Sequence, residues 1–312
     1  MPKRLEDPET LDPFASVLIT WPAALVGWSG YRLLGGDVLG LDSLGVLLVL
    51  TAVAYAGLAA AFFARERGRQ LSILLAAVAF ALGAIGTAQF LGGATLAVVW
   101  ALEAVVLAWL ALHVDEPRLQ LAAIAYLVLA IVHALAFEAP PRLLYEPTRN
   151  PASKVWAIAA TSLIALGFCL AARRWAPIAA GERRPPLLPQ AEGLLRETLS
   201  AARRASPLPA AVLAVYAVSL AVLQIAYSSR SGSFVGRFEW GHALASTIWA
   251  YLGLALVLAF PAPRWWPRLA GMLLLVLALV DLVAFQLTQF RGGIWATSAF
   301  LLALAYCAVG VV

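Results

Sequence analysis

The sequence predicts an all-α integral membrane protein of about ten transmembrane helices, built as a two-helix lead followed by two parallel four-helix repeats. Three observations carry this expectation. Of 312 residues, 62% are hydrophobic and only 12% charged, with a mean hydropathy of +0.86, which leaves too little polar surface to cover a core facing water. Apolar runs of about 20 residues, the length a helix needs to cross a hydrocarbon layer about 30 Å thick, recur along the chain. Finally, the second half of the chain restates the first in order.

After the charged start Met1 to Asp12, which lacks the ordered regions of a signal peptide, the first run covers 15–34 and contains Pro22, tolerated in a span when neighbours satisfy the freed carbonyl. The second, 44–64, ends at the basic stretch Arg65 to Arg69. Runs three (71–90) and four (95–113) are joined by the uncharged Leu91-Gly92-Gly93-Ala94. Run five is 119–137 and run six 154–172. Between these two, 138–153 carries four prolines, predicting an extended segment ordered by contact. The longest polar interval, 173–207, contains a stretch, 190–204, with Leu194, Leu195 and Leu199 at helical spacing among arginines, which suits a helix at the membrane surface or a solvated linker. Runs seven to ten are 208–227, 241–260, 266–288 and 293–312.

With ten spans both termini lie on one side, and 15 of the 22 Lys and Arg fall on that side. Positive charge is retained in the cytoplasm, so both termini are expected there. The basic excess therefore reports topology and not nucleic-acid binding; the expected partners are the lipid bilayer and other membrane proteins. The two cysteines, Cys169 and Cys307, lie inside apolar runs and read as packing residues.

The duplication divides the chain into a lead, 1–70; repeat A, 71–174; a cytoplasmic linker, 175–207; and repeat B, 208–312. Residues 75–89 resemble 213–227. Trp100 with its neighbours corresponds to Trp249, the segment Ile131 to Phe137 to Leu279 to Phe285, and Trp156 to Trp295. Length changes fall in the loops. Equal, even numbers of spans give both copies the same orientation, the parallel kind of repeat. Trp100, Trp156, Trp249 and Trp295 are therefore expected to serve repeat packing. Trp175, Trp240, Trp265 and Trp266, near run ends, are expected to form an aromatic belt.

Four polar residues stand inside apolar runs: Glu103, His133, Gln224 and Asp281. A charge at mid-bilayer costs about 2.5–3.5 kcal/mol, so each should face the bundle interior or a wet cavity, and a substrate or proton site is the functional reading. The structural reading, a hydrogen-bonded tie between helices worth about 1 kcal/mol or less, is the stronger of the two. Glu103 differs from the others in that its repeat counterpart is Leu252, so the duplication does not explain it.

No Walker, dinucleotide, zinc or triad pattern is present, so no catalytic residue, metal or cofactor is predicted and the reading leans away from an enzyme. Two weaker alternatives remain. Only His133 and His242 could meet as axial ligands of a transmembrane haem. Asp37 and Asp42 in the first loop could serve a polyprenyl-linked transferase, but ordinary loop carboxylates explain them better.

The segment Val99 to Leu112, VWALEAVVLAWLAL, resembles the W-A-L-E-G/A run of a family of predicted bacterial membrane proteins, domain of unknown function 2339, and Arg268-Leu269-Ala270-Gly271 is similar to the start of that family's penultimate helix. Where that family tends to carry lysine and aspartate in the penultimate helix, this chain has Asp281 and Gln286. The resemblance implies a polytopic protein of a bacterial inner membrane and no defined activity. Two functions are therefore expected: a non-catalytic subunit or scaffold of a cell-envelope complex, favoured by the absence of a site motif, or a carrier for a small or lipidic substrate gated around Glu103, His133 and Asp281.

Overall fold

The computed structural model describes residues 17, 19–26, 29, 37–38, 41–63, 69–114, 117–145, 152–175, 197–201, 207–229, 233–260 and 265–281. Apart from a ribbon of two short strands, β1 (Asp37–Val38) and β2 (Leu41–Asp42), paired antiparallel with Asp37 opposite Asp42, the described elements are helical. The helices are α1 (Ser43–Phe63), α2 (Arg69–Phe90), α3 (Gly93–Val114), α4 (Pro117–His133), α5 (Ala152–Ala172), α6 (Pro207–Ser229), α7 (Phe234–Ala259) and α8 (Trp265–Asp281). Residues 19–26 are also helical.

Seven helices are long and apolar enough to cross a membrane: Ser43–Phe63, Leu71–Phe90, Gly93–His113, Leu119–Glu138, Val155–Ala172, Pro207–Ser228 and Val235–Ala259. Their outward faces bear large apolar side chains such as Leu50, Val106, Leu163 and Ile225, each more than half exposed. Hydrocarbon solvates such a surface and water does not. The first predicted run is described only at 17, 19–26 and 29, the ninth only as far as Asp281, and the tenth lies outside the described residues.

Helix ends follow local chemistry. Pro117 opens α4, where its missing N–H costs nothing. Ser233 caps α7, its hydroxyl accepting from the Gly236 amide at 3.1 Å. This cap starts the helix at Phe234, where the sequence placed a loop until 241. The Arg237 guanidinium donates to the Tyr227 carbonyl at 3.0 Å, so the charge that argued against a helix there is spent on the end of α6. The turn from α2 into α3 reverses at Gly93, whose φ of 64° is left-handed and favours glycine. Beyond His133, α4 widens into a π turn, Ala134–Glu138. The proline-rich segment follows, with one 3-10 turn at Pro141–Leu144 and the single Tyr216 O–H shared between the Ala139 and Pro140 carbonyls at 2.8 and 2.9 Å. Residues 139–145 are held by these contacts, but Pro141–Leu144 turn as a 3-10 helix where the sequence predicts an extended segment, and 146–151 lie outside the described residues.

The chain forms two compact units, Met1–Glu138 with Ala160–Ala210, and Ala139–Ala159 with Ala211–Val312. In the first, α1 packs on α2 and α3 on α4. The α3 seam is an alanine stripe, Ala97, Ala101, Ala104, Ala108 and Ala111, essentially inaccessible. Small residues let the backbones approach, which is how helices associate where no hydrophobic force separates side chain from lipid. Three side chains tie backbone across helices: Tyr55 donates to the Ile19 carbonyl at 3.1 Å, Ser72 to Ala59 at 2.6 Å and Tyr126 to Phe80 at 2.8 Å. In the second unit α7 packs on α8 around Ala245, Trp249, Val257, Leu275 and Ala278.

Two tryptophan expectations change. Trp175 is buried, donates its indole N–H to the Ala108 carbonyl at 3.1 Å and meets Phe168 edge-on, so it braces α3 instead of joining an interfacial belt. Trp156, expected in packing, is 48% exposed. Trp295 and the side chains of Trp265 and Trp266 lie outside the described residues. Of the linker helix, residues 197–201 are helical, with Leu199 buried.

Candidate functional site

The four polar residues that the sequence singles out separate into distinct settings. Glu103 sits halfway along α3, one position from the buried seam residue Ala104. Its Oε2 is buried and has no hydrogen-bond partner among the described residues. The Tyr126 phenol of α4 is within electrostatic range of the carboxylate but donates to the Phe80 carbonyl. Gln224 on α6 likewise leaves Oε1 buried with no partner among the described residues. Such groups are the exception in folded proteins, because an amide or carboxylate taken from water without a replacement bond costs free energy.

His133 lies at the other end of the α3–α4 hairpin. Its Nε2 donates to the Gly93 carbonyl at 3.2 Å and stands 3.8 Å from Glu138 Oε1. Trp100 meets the ring edge-on at 5.6 Å and Phe137 lies at 5.2 Å. The π turn makes this possible: five α-helical residues would swing Glu138 well round the axis from His133, whereas the wider turn returns it to the same side. Ten residues, or about 15 Å of helix axis, separate Gly93 from Glu103, so Glu103 and His133 occupy different depths of one hairpin.

Asp281 ends the described part of α8 and is paired with His242 near the start of α7. His242 Nδ1 stands 2.9 Å from Asp281 Oδ1, both side chains are 1% exposed, and His242 Nε2 meets the Leu144 carbonyl of the 3-10 turn. Phe238 packs on the imidazole at 4.6 Å and Tyr145 at 6.1 Å. Burial first, then the Asp281 charge, pushes the Tyr145 phenol up, so that it stays neutral beside the pair.

No known protein family, curated protein or solved structure matches the chain. Among the described residues no group of three or more His, Cys, Asp or Glu is placed to hold a metal ion. An axial haem ligand must offer a nitrogen lone pair, and both nitrogens of His242 face acceptors instead. The arrangement supports proton binding and the hydrogen bonding of a polar ligand.

The sequence singles out Asp281 and offers His242 only as a haem ligand, and it carries no sign of Glu138, Tyr126 or the Leu144 carbonyl. A signal for His242 was present: the offset that carries Trp100 to Trp249 also carries Gly93 to His242. The Gly93 carbonyl meets His133, and His242 meets Asp281. A Cβ on Gly93 would meet the Glu138 carboxylate at about 3.7 Å. In each hairpin an imidazole stands near a carboxylate, His133 at 3.8 Å from Glu138 and His242 at 2.9 Å from Asp281.

Proposed function

We propose that the chain is a carrier of a small or lipidic substrate in a bacterial inner membrane, with Glu103 as its intramembrane acid. The observation that carries this reading is the buried Oε2 of Glu103, which lacks a partner among the described residues at mid-helix in a span. A carboxylate left so is stabilised by taking up a proton or by meeting a polar ligand, and intramembrane acids default to such roles. A purely structural tie would have its acceptors filled.

A ten-span plan with two parallel repeats and cytoplasmic termini belongs to the same proposal. In its favour, Trp100 donates to the Thr87 hydroxyl at 3.0 Å and Trp249 to the Ser219 hydroxyl at 2.8 Å, so that corresponding indoles tie each α3-type helix to a hydroxyl on an earlier one. Kinship with the domain of unknown function 2339 family rests on the W-A-L-E segment and remains part of the proposal. A second reading, a scaffold subunit, is favoured by the backbone of 139–145, which Tyr216 and His242 hold in one shape as a docking surface requires.

Labelling with a membrane-soluble carbodiimide, which modifies only protonated carboxyl groups, tests the carrier. Modification of the peptide containing Glu103 is expected in mildly acidic buffer, suppressed by a small-molecule or lipid extract and lost in Glu103→Gln. Absence of labelling at Glu103, with partner proteins co-purifying through the outer loop, would move the reading to the scaffold.

A further inference from the structure

We propose that His242 and Asp281 form a buried proton-binding pair whose shared proton latches the loop Ala139–Tyr145 onto the start of α7. The inference does not depend on Glu103. It follows from counting protons on three atoms. The imidazole of His242 presents Nδ1 to a carboxylate oxygen and Nε2 to the Leu144 carbonyl, and both are acceptors. A neutral imidazole has a single N–H to give. With Asp281 ionised, only the imidazolium satisfies both; with Asp281 protonated, its O–H donates to Nδ1 while Nε2–H meets Leu144. The two descriptions hold the same protons, one on Nε2 and one between Nδ1 and Oδ1. Removing one leaves either two lone pairs facing each other at 2.9 Å or the Leu144 carbonyl without its donor.

Burial makes the count matter. Both side chains are 1% exposed, so water is not at hand to replace the missing donor. Among the described residues, the titratable groups facing the imidazole from other elements are Asp281 of α8 and the phenol of Tyr145 in the loop. On α7 itself, Arg237 is tied to the Tyr227 carbonyl, and Glu239 stands three residues before His242. The loop has a second, separate pin, because the Tyr216 hydroxyl holds the carbonyls of Ala139 and Pro140. Loss of the proton therefore frees the Pro141–Tyr145 end while the first end stays fixed. The latch is closed while the proton is bound and opens as pH rises.

The test uses the full chain in liposomes with Cys169 and Cys307 replaced by Ala and one new thiol at Leu144→Cys, a substitution that keeps the carbonyl the latch uses. Leu144 is buried and Arg142 exposed, so the rate of methanethiosulfonate labelling at Leu144→Cys is divided by that of Arg142→Cys, and the same ratio in an Asp281→Asn chain, which carries the same thiols, removes the part due to their titration. The ratio is expected at roughly one tenth or less at the acidic end of a pH series, the effect of one lost hydrogen bond of about 1.4 kcal/mol, and to rise as pH rises. Asp281→Asn is expected to hold the ratio low at every pH, since its amide N–H can donate to Nδ1 and leave Nε2–H on Leu144. His242→Phe is expected to raise it at every pH. A ratio that does not change with pH in the native pair overturns the proposal, as does an Asp281→Asn chain that responds to pH like the native one.

Discussion

Gly253 of α7 and Gly271 of α8 face each other so closely that a Cβ on Gly253 would fall 2.7 Å from the Gly271 carbonyl oxygen, and one on Gly271 would fall 2.6 Å from the Gly253 oxygen. The obstacle on each side is backbone, which no rotamer change relieves. Gly271→Ala and Gly253→Ala should each destabilise the second unit by about 1–3 kcal/mol, the range for forced overpacking. Thermal unfolding in mild detergent reads this, with Gly167→Ala on α5 as the control, since nothing lies within 4 Å of a Cβ there. Equal melting temperatures for all three variants would refute the close crossing.

The indole ties can be measured as couplings. A double-mutant cycle over Trp249→Phe and Ser219→Ala should return about 0.5–1 kcal/mol, and one over Trp100→Phe and Thr87→Val a similar value, as interhelical hydrogen bonds in membranes do. Coupling indistinguishable from zero in both cycles would show that these tryptophans act by shape alone.

Gly93 is held at a φ of 64°. A Cβ there meets Glu138 only at ordinary contact distance, so the backbone alone sets the penalty. Gly93→Ala should cost about 1–2 kcal/mol, whereas Gly92→Ala, with open space around it, should cost less than about 1 kcal/mol. Equal stability of the two variants, by the same melting assay, would argue against the left-handed turn.

Trp175 and Trp156 should differ in their access to lipid. Bilayers containing brominated acyl chains are expected to quench Trp156, which is 48% exposed, far more than Trp175, which is 3% exposed. Single-tryptophan chains report this directly. Trp175→Phe should also lower stability by about 1 kcal/mol by removing the indole's bond to the Ala108 carbonyl, while Trp156→Leu should change it by less than about 0.5 kcal/mol.

The sequence alone determined the helical class and the position of most spans, because a bilayer imposes length and apolarity on each segment locally: every backbone group must be bonded within its own helix. It also determined that Glu103 is anomalous, since one carboxylate in an apolar run is visible without any knowledge of its neighbours. Tertiary structure decided what each polar group meets. His242 and Asp281 are 39 residues apart and His242 and Leu144 98 apart, and no periodicity encodes a contact across such separations. The start of α7 and the burial of Trp175 were hidden for the same reason: Arg237 and the indole look interfacial until the Tyr227 and Ala108 carbonyls that bind them are in place. Hydrophobic patterning is a property of one helix at a time, whereas hydrogen bonding between helices depends on how the helices are paired.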